Sequence, residues 1–149
     1  MRFAAVVGVA AILLLSGCSS NEMTVGTCVS WVDVSDPQDA FDSAEVVVVG
    51  TAEPSEKTAS VYGVDAAVHT VNVTNVISGD LEPGSIEVVS TPVTCMGDEV
   101  YPDGDPLDVD GDVIVFLDQG DIEGAWSLIT PFDTVLALPD DGSLPFEAH

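Results

Sequence analysis

The hydrophobic pattern of the chain turns on Val46-Val47-Val48-Val49, four β-branched residues in succession. A strand that is apolar at every position has no solvent side, so both of its faces must be covered. Just ahead of it, Asp36 reads as an N-cap and Pro37 as the first residue of a helix. Ala40, Phe41 and Ala44 fall on one stripe of that helix, which is about two turns long.

Downstream, β-branched and aromatic residues cluster in short runs separated by turn residues. Ala67 to Ile77, Ser85 to Thr91, Val113 to Asp118 and Ala125 to Thr130 each read as a strand. Val135 to Leu138 reads as a final strand, and Thr27 to Val34 as a looser edge segment. Ser78-Gly79-Asp80 and Pro83-Gly84 mark turns. Ala52 to Asp65, rich in Glu, Ser, Thr and Ala, reads as a mobile connecting loop. There are no heptads, no repeats and no long amphipathic helix. Five or six short strands with one short helix predict an all-β domain, a small barrel or a sandwich.

The N-terminus has a different pattern. Arg2 precedes an apolar run from Phe3 to Leu15, too short for a membrane-spanning helix of about 20 residues but right for a secretory signal. It ends in Leu15-Ser16-Gly17-Cys18, which resembles the lipobox of bacterial lipoproteins. That resemblance implies cleavage before Cys18 and its acylation by a diacylglycerol and fatty acid such as palmitate. Two or three acyl chains anchor stably where a single chain does not. The expected organisation is a signal peptide over 1–17, a lipidated tether over 18–26 and one domain over 27–149. The expected location is the extracytoplasmic side of a cell membrane or envelope.

Charge sharpens this picture. The chain carries 26 acidic and 2 basic residues, a formal charge of -24. Arg2 lies in the signal, which leaves Lys57 alone in the mature chain. So negative a surface repels phosphate backbones and anionic headgroups, so no nucleic-acid partner is expected. With Cys18 lipidated, Cys28 and Cys95 remain in an oxidising compartment, where a structural disulfide is expected.

Several stretches together resemble the bacterial relatives of the netrin-like domain, the barrel shared with tissue inhibitors of metalloproteinases. They are Cys28, Ala40-Phe41, Ala44 to Thr51, Thr70 to Val73, Val76 to Asp80, Cys95 and Gly111 to Leu117. The resemblance implies an OB-type five-stranded Greek-key barrel with a helix packed on one side. It departs from the family at Ser30, where a second cysteine is common, and at Ile77-Ser78, where Trp-Lys is usual. The inhibitors chelate zinc through a free N-terminal cysteine. Here that end would be lipidated Cys18, and Cys28 lies inside the chain, so the mechanism does not carry over.

Candidate chemistry is sparse. Asp103, Asp105, Asp108, Asp110 and Asp112 invite a calcium reading, since hard cations take carboxylate oxygens. However, Gly111 falls at the fourth place of the Asp108 frame, and Gln119 stands where a bidentate Glu would close the site. Asp110-Gly111 is expected instead to be a hairpin turn into the Val113 strand. His69 is expected on a strand surface and His149 is the terminal residue, so no metal site is expected. Trp31 and Trp126 are expected to pack in the core or plug the barrel, with an exposed ligand-stacking face as the alternative. No base neighbours a nucleophile motif and no phosphate loop occurs, so neither catalysis nor a cofactor is expected. The expected function is a lipid-anchored, non-enzymatic barrel that binds a protein or other ligand through its loops. A calcium-dependent adhesion or stabilisation module and a peptidase inhibitor acting through a surface loop are the alternatives.

Overall fold

The computed structural model describes residues 27–95 and 99–149; Cys18 and the signal and tether therefore lie outside the described residues. One helix, α1 (Pro37–Ser43), precedes six strands: β1 (Val46–Val61), β2 (Val64–Ser78), β3 (Gly84–Val89), β4 (Asp112–Asp118), β5 (Trp126–Leu128) and β6 (Val135–Ala137). The fold is all-β, with an OB-type barrel at its centre. Five strands close a ring in the order β1-β2-β3-β5-β4, with β4 pairing back onto β1 from Val46↔Leu117 to Thr51↔Asp112. The β3–β5 seam is parallel and short, joining Val88 to Trp126 and Val89 to Ser127. β6 adds a sixth strand beside the first half of β4, along the same edge that β5 uses further on.

The valine run explains the layering. Val46 and Val48 point into the barrel with Val71, Val73, Val88, Val113, Val115 and Leu117. Val47 and Val49 point outward and are covered, with Ile114 and Phe116, by Ala40 and Phe41 of α1 and by Phe146. Alternate residues of β1 and β4 thus serve two cores, which is why neither strand shows a polar face. The helix starts as expected: Asp36 accepts a hydrogen bond from the Gln38 N–H at 2.9 Å and Pro37 occupies the first turn. Phe146 stacks on Phe41 with ring centroids 4.7 Å apart, and Gln38 Oε1 accepts from the Glu147 N–H at 2.8 Å, pinning the C-terminal tail to α1.

Two expectations are corrected. Ala52 to Asp65 is not a loop; β1 continues through it and turns at Tyr62-Gly63 into β2. Both turn residues have positive φ, 52° and 84°, the geometry of the two-residue turn whose twist matches paired strands. The polar composition reflects a ribbon that extends past the barrel, and a register shift between Pro54 and Thr58 absorbs the proline. Asp110-Gly111 is likewise not a hairpin turn. Among the described residues no strand runs directly into it from 99–109, and Gly111 (φ 90°) bends an irregular segment into β4.

Candidate functional site

The extended β1–β2 ribbon does not stand free. Ala59 and Val61 pack with Ala66, Val68, Val89, Ala125 and Ile122, so the ribbon leans on the loop that joins β4 to β5. A third wall comes from the segment ahead of α1. Cys28 is disulfide-bonded to Cys95, with Cα atoms 5.4 Å apart. The Thr27 N–H donates to Tyr62 O at 3.3 Å and the Val29 N–H to Thr94 Oγ1 at 2.9 Å. These ties hold Trp31 beside Tyr62, edge to face, with centroids 5.8 Å apart. Between the three walls lies a cleft of ≈ 300 Å³.

The lining of the cleft is aromatic, acidic and hydroxylic. Trp31 and Tyr62 form one corner; Asp118 comes from the end of β4, and Gln119 and Asp121 from the β4–β5 loop; Ser60, Thr91 and Ser127 supply hydroxyls. Among the described residues no Lys, Arg or His lines it. The root of the acidic loop is fixed: Asp118 Oδ1 accepts from the Glu45 N–H at 3.1 Å, and Glu45 Oε2 accepts from the Gln119 N–H at 3.2 Å. Gly120 leaves room there for the Ser127 side chain, which would have to move if a Cβ were added. The indole N–H of Trp31 is buried and finds no acceptor among the described residues. Beyond Trp31 a shallower groove carries Val32 and Phe132, which are 64% and 42% exposed.

A second polar constellation lies at one end of the barrel interior. His69 pairs across the sheet with Val88 and lies on the same face of β2 as the inward-facing Val71 and Val73, so it points into the barrel, 3% exposed. This corrects the expectation of a strand-surface histidine. Its Nε2 stands 2.9 Å from Asp105 Oδ2. A carboxylate only accepts, so Nε2 carries the proton; Nδ1 is then left buried without a partner among the described residues. Asp105 Oδ1 also accepts from the Ser90 hydroxyl and, at 3.0 Å, from the Leu107 N–H. Burial pushes the Asp105 carboxyl up, but the bonds from His69, Ser90 and Leu107 outweigh it and hold the group below its ordinary 3.8. Tyr101 donates to Ser90 O at 2.7 Å and accepts from the Ala67 N–H at 2.9 Å. Burial drives its phenol up to about 12.

Ser90, Asp105 and His69 are residues of nucleophilic chemistry, but they are wired differently here. The hydroxyl donates to the carboxylate rather than to the imidazole, and Ser90 is fully buried. The trio ties the loop carrying Tyr101, Asp105 and Leu107 onto the barrel. Leu107, fully buried, joins the inner core from that loop.

Of the five aspartates in the calcium reading, Asp105 is therefore committed to His69. Among the described residues no three His, Cys, Asp or Glu side chains come together as a metal site. Trp126 packs against the inner core and lies apart from Trp31 in the fold. His149 meets the edge of Phe41 at 6.0 Å. Sequence reasoning missed Tyr62, Asp121, Ser90 and Tyr101. The Tyr62-Gly63 pair between two Val-containing runs was the signal available for the first. No helix among the described residues is long and apolar enough to cross a membrane. No family model, curated protein or solved structure matches the chain.

Proposed function

We propose that this protein is a lipid-anchored, non-enzymatic binding module of the cell envelope, and that the cleft beside Trp31 is its binding site. The observation that carries the reading is the meeting of the β1–β2 hairpin with the β4–β5 loop. In OB-type barrels those two loops are where ligands bind. Here they face each other across the aromatic corner of Trp31 and Tyr62. The formal charge of -24 speaks against the nucleic-acid ligands that many such barrels take. The resemblance of Ala44 to Thr51 and of Gly111 to Leu117 to netrin-like domains supports a protein-binding role. Leu15-Ser16-Gly17-Cys18 supports the anchor.

Two measurements test the two halves of the proposal. Cys18→Ser should move the protein from the membrane fraction to the soluble fraction, and a variant that stays membrane-bound refutes the anchor. A photo-crosslinking residue at position 62, in the lipidated protein in native envelopes, should give discrete adducts that the same probe at position 140 does not. Identical patterns at the two positions would remove the cleft as the binding site.

A further inference from the structure

We infer that the cleft receives a lysine or arginine side chain carried on an extended segment of a partner protein. The inference rests on the reading of the cleft as the binding site and names what enters it. Three observations point the same way.

The first is charge. The cleft presents Asp118 and Asp121 with no cation to balance them. The single lysine outside residues 1–26, Lys57, sits elsewhere, paired with Glu87 at the surface. Nothing basic within the described chain competes for the site. The net charge of -24 draws cationic segments toward the protein and repels phosphates, sulfates and acidic sugars.

The second is the aromatic corner. A guanidinium or ammonium is attracted to the faces of Trp and Tyr, and arginine also stacks on them. A carboxylate beside such a corner completes the set of groups that a basic side chain uses.

The third is size. A volume of ≈ 300 Å³ lies at the small end of ligand pockets and suits one side chain with its peptide unit. The neighbouring groove with exposed Val32 and Phe132 continues the surface along a segment, so an apolar residue flanking the basic one would be covered there.

The test uses the mature lipidated protein in neutral detergent at physiological ionic strength. It is titrated with the blocked peptide Gly-Leu-Arg-Gly, with its citrulline counterpart, and with a neutral trisaccharide, while the indole N–H signals of Trp31 and Trp126 are followed by NMR. The arginine peptide should shift the Trp31 signal and the citrulline peptide should bind at least about fivefold more weakly. Asp121→Asn and Tyr62→Asn should each raise its Kd about three- to fivefold. Tyr62→Asn deletes the ring but keeps the turn, since Asn-Gly is favoured there. Asp140→Asn, which removes one exposed charge outside the cleft, should leave the Kd unchanged. Equal binding of the two peptides overturns the inference, and so do equal losses for Asp121→Asn and Asp140→Asn, which would mean general attraction to an acidic protein. If the trisaccharide shifts Trp31 and the peptide does not, the basic occupant is wrong while the cleft remains the binding site. If neither probe moves Trp31, the inference falls, and the crosslinks at position 62 decide whether the cleft reading falls with it.

Discussion

His69 Nε2 and Asp105 Oδ2 stand 2.9 Å apart, joining an inward-facing residue of β2 to the loop that covers the barrel end. Their side chains are only 4% and 16% exposed, so water does little to screen the pair. Removing one partner leaves the other buried and unpaired, which is the expensive way to break such a contact. Asp105→Ala should lower the unfolding free energy by about 2–3 kcal/mol, because it also strands the Ser90 hydroxyl and the Leu107 N–H. Asp105→Asn keeps an oxygen for those two donors and should cost about 1 kcal/mol. Chemical denaturation of the two variants checks the order; equal losses would mean that the hydrogen bonds around Asp105 carry none of its effect.

The same network sets a dependence on pH at both extremes. Asp105 is held below its ordinary value, so its contribution is present above the carboxyl pKa of the unfolded chain. It is lost as pH falls through the lower, folded value. Acid also relieves the repulsion among 26 acidic residues, an opposing effect. The comparison to make is therefore between the native protein and Asp105→Asn, and the variant should lose less stability below pH 4 or so. Tyr101 behaves in the opposite sense. Its phenol, at about 12 when folded, holds a proton that the unfolded chain releases near pH 10. Its stabilisation is complete below pH 10 or so and disappears as pH rises towards 12. Tyr101→Phe should flatten that alkaline decline; an unchanged slope would remove Tyr101 as its source.

What the sequence disclosed follows from how each feature is encoded. The doubly covered β1 and β4, the capped α1 and the pairing of Cys28 with Cys95 are written in runs, caps and counts, and the structure has all of them. The closing of the ring at Val88↔Trp126 is two residues long and parallel, too brief to leave a pattern. His69 looked like a surface residue because a lone polar group in a strand usually faces water. Its partner, Asp105, comes from 36 residues away, and local pattern cannot announce a bond of that span. The cleft was illegible for the same reason. Trp31, Tyr62 and Asp121 belong to three segments that meet because Ala59 and Val61 pack on Ile122 and Ala125 and because the Cys28–Cys95 bridge ties down the segment carrying Trp31.

Gly50 interrupts the apolar run of β1 because of a close approach of two backbones. A Cβ at this position would overlap Asn72 O and stand 2.9 Å from Asn72 C and 3.1 Å from Val73 Cα. These are main-chain atoms of β2 beside the register shift between Val49 and Gly50, and they have no rotamer to move to. Gly50→Ala should therefore destabilise by about 2–3 kcal/mol, in the range of overpacked cores, although alanine usually favours a strand more than glycine does. Gly142→Ala is the contrasting case: a Cβ there meets nothing within 4 Å, and only its φ of 70° opposes the change. Its cost should be about 1 kcal/mol. Thermal unfolding of the two variants gives the comparison, and a smaller loss for Gly50→Ala than for Gly142→Ala would refute the close-approach argument.

The disulfide between Cys28 and Cys95 joins residues 67 apart and ties the segment carrying Trp31 to the chain beyond β3. Closing a loop of that length restricts the unfolded chain, so Cys28→Ser with Cys95→Ser should cost about 4 kcal/mol on the chain-entropy account. The structural consequence is local. The barrel strands pair without help from residues 27–35, which make no strand of their own; Val34 is anchored in the outer core beside α1, whereas residues 27–31 hold on through Thr27 to Tyr62, Val29 to Thr94 and the bridge. Two single hydrogen bonds near the surface contribute about 1 kcal/mol each, too little to hold the segment down once the bridge is gone. The double variant should keep its strand circular dichroism while Trp31 leaves Tyr62, seen as a red-shifted, more readily quenched fraction of the tryptophan emission. Trp126, packed on the inner core, should stay blue-shifted and protected. If the emission of both tryptophans is unchanged by loss of the bridge, packing of the segment alone positions Trp31. In that case ligand binding at the cleft should also survive reduction of the protein.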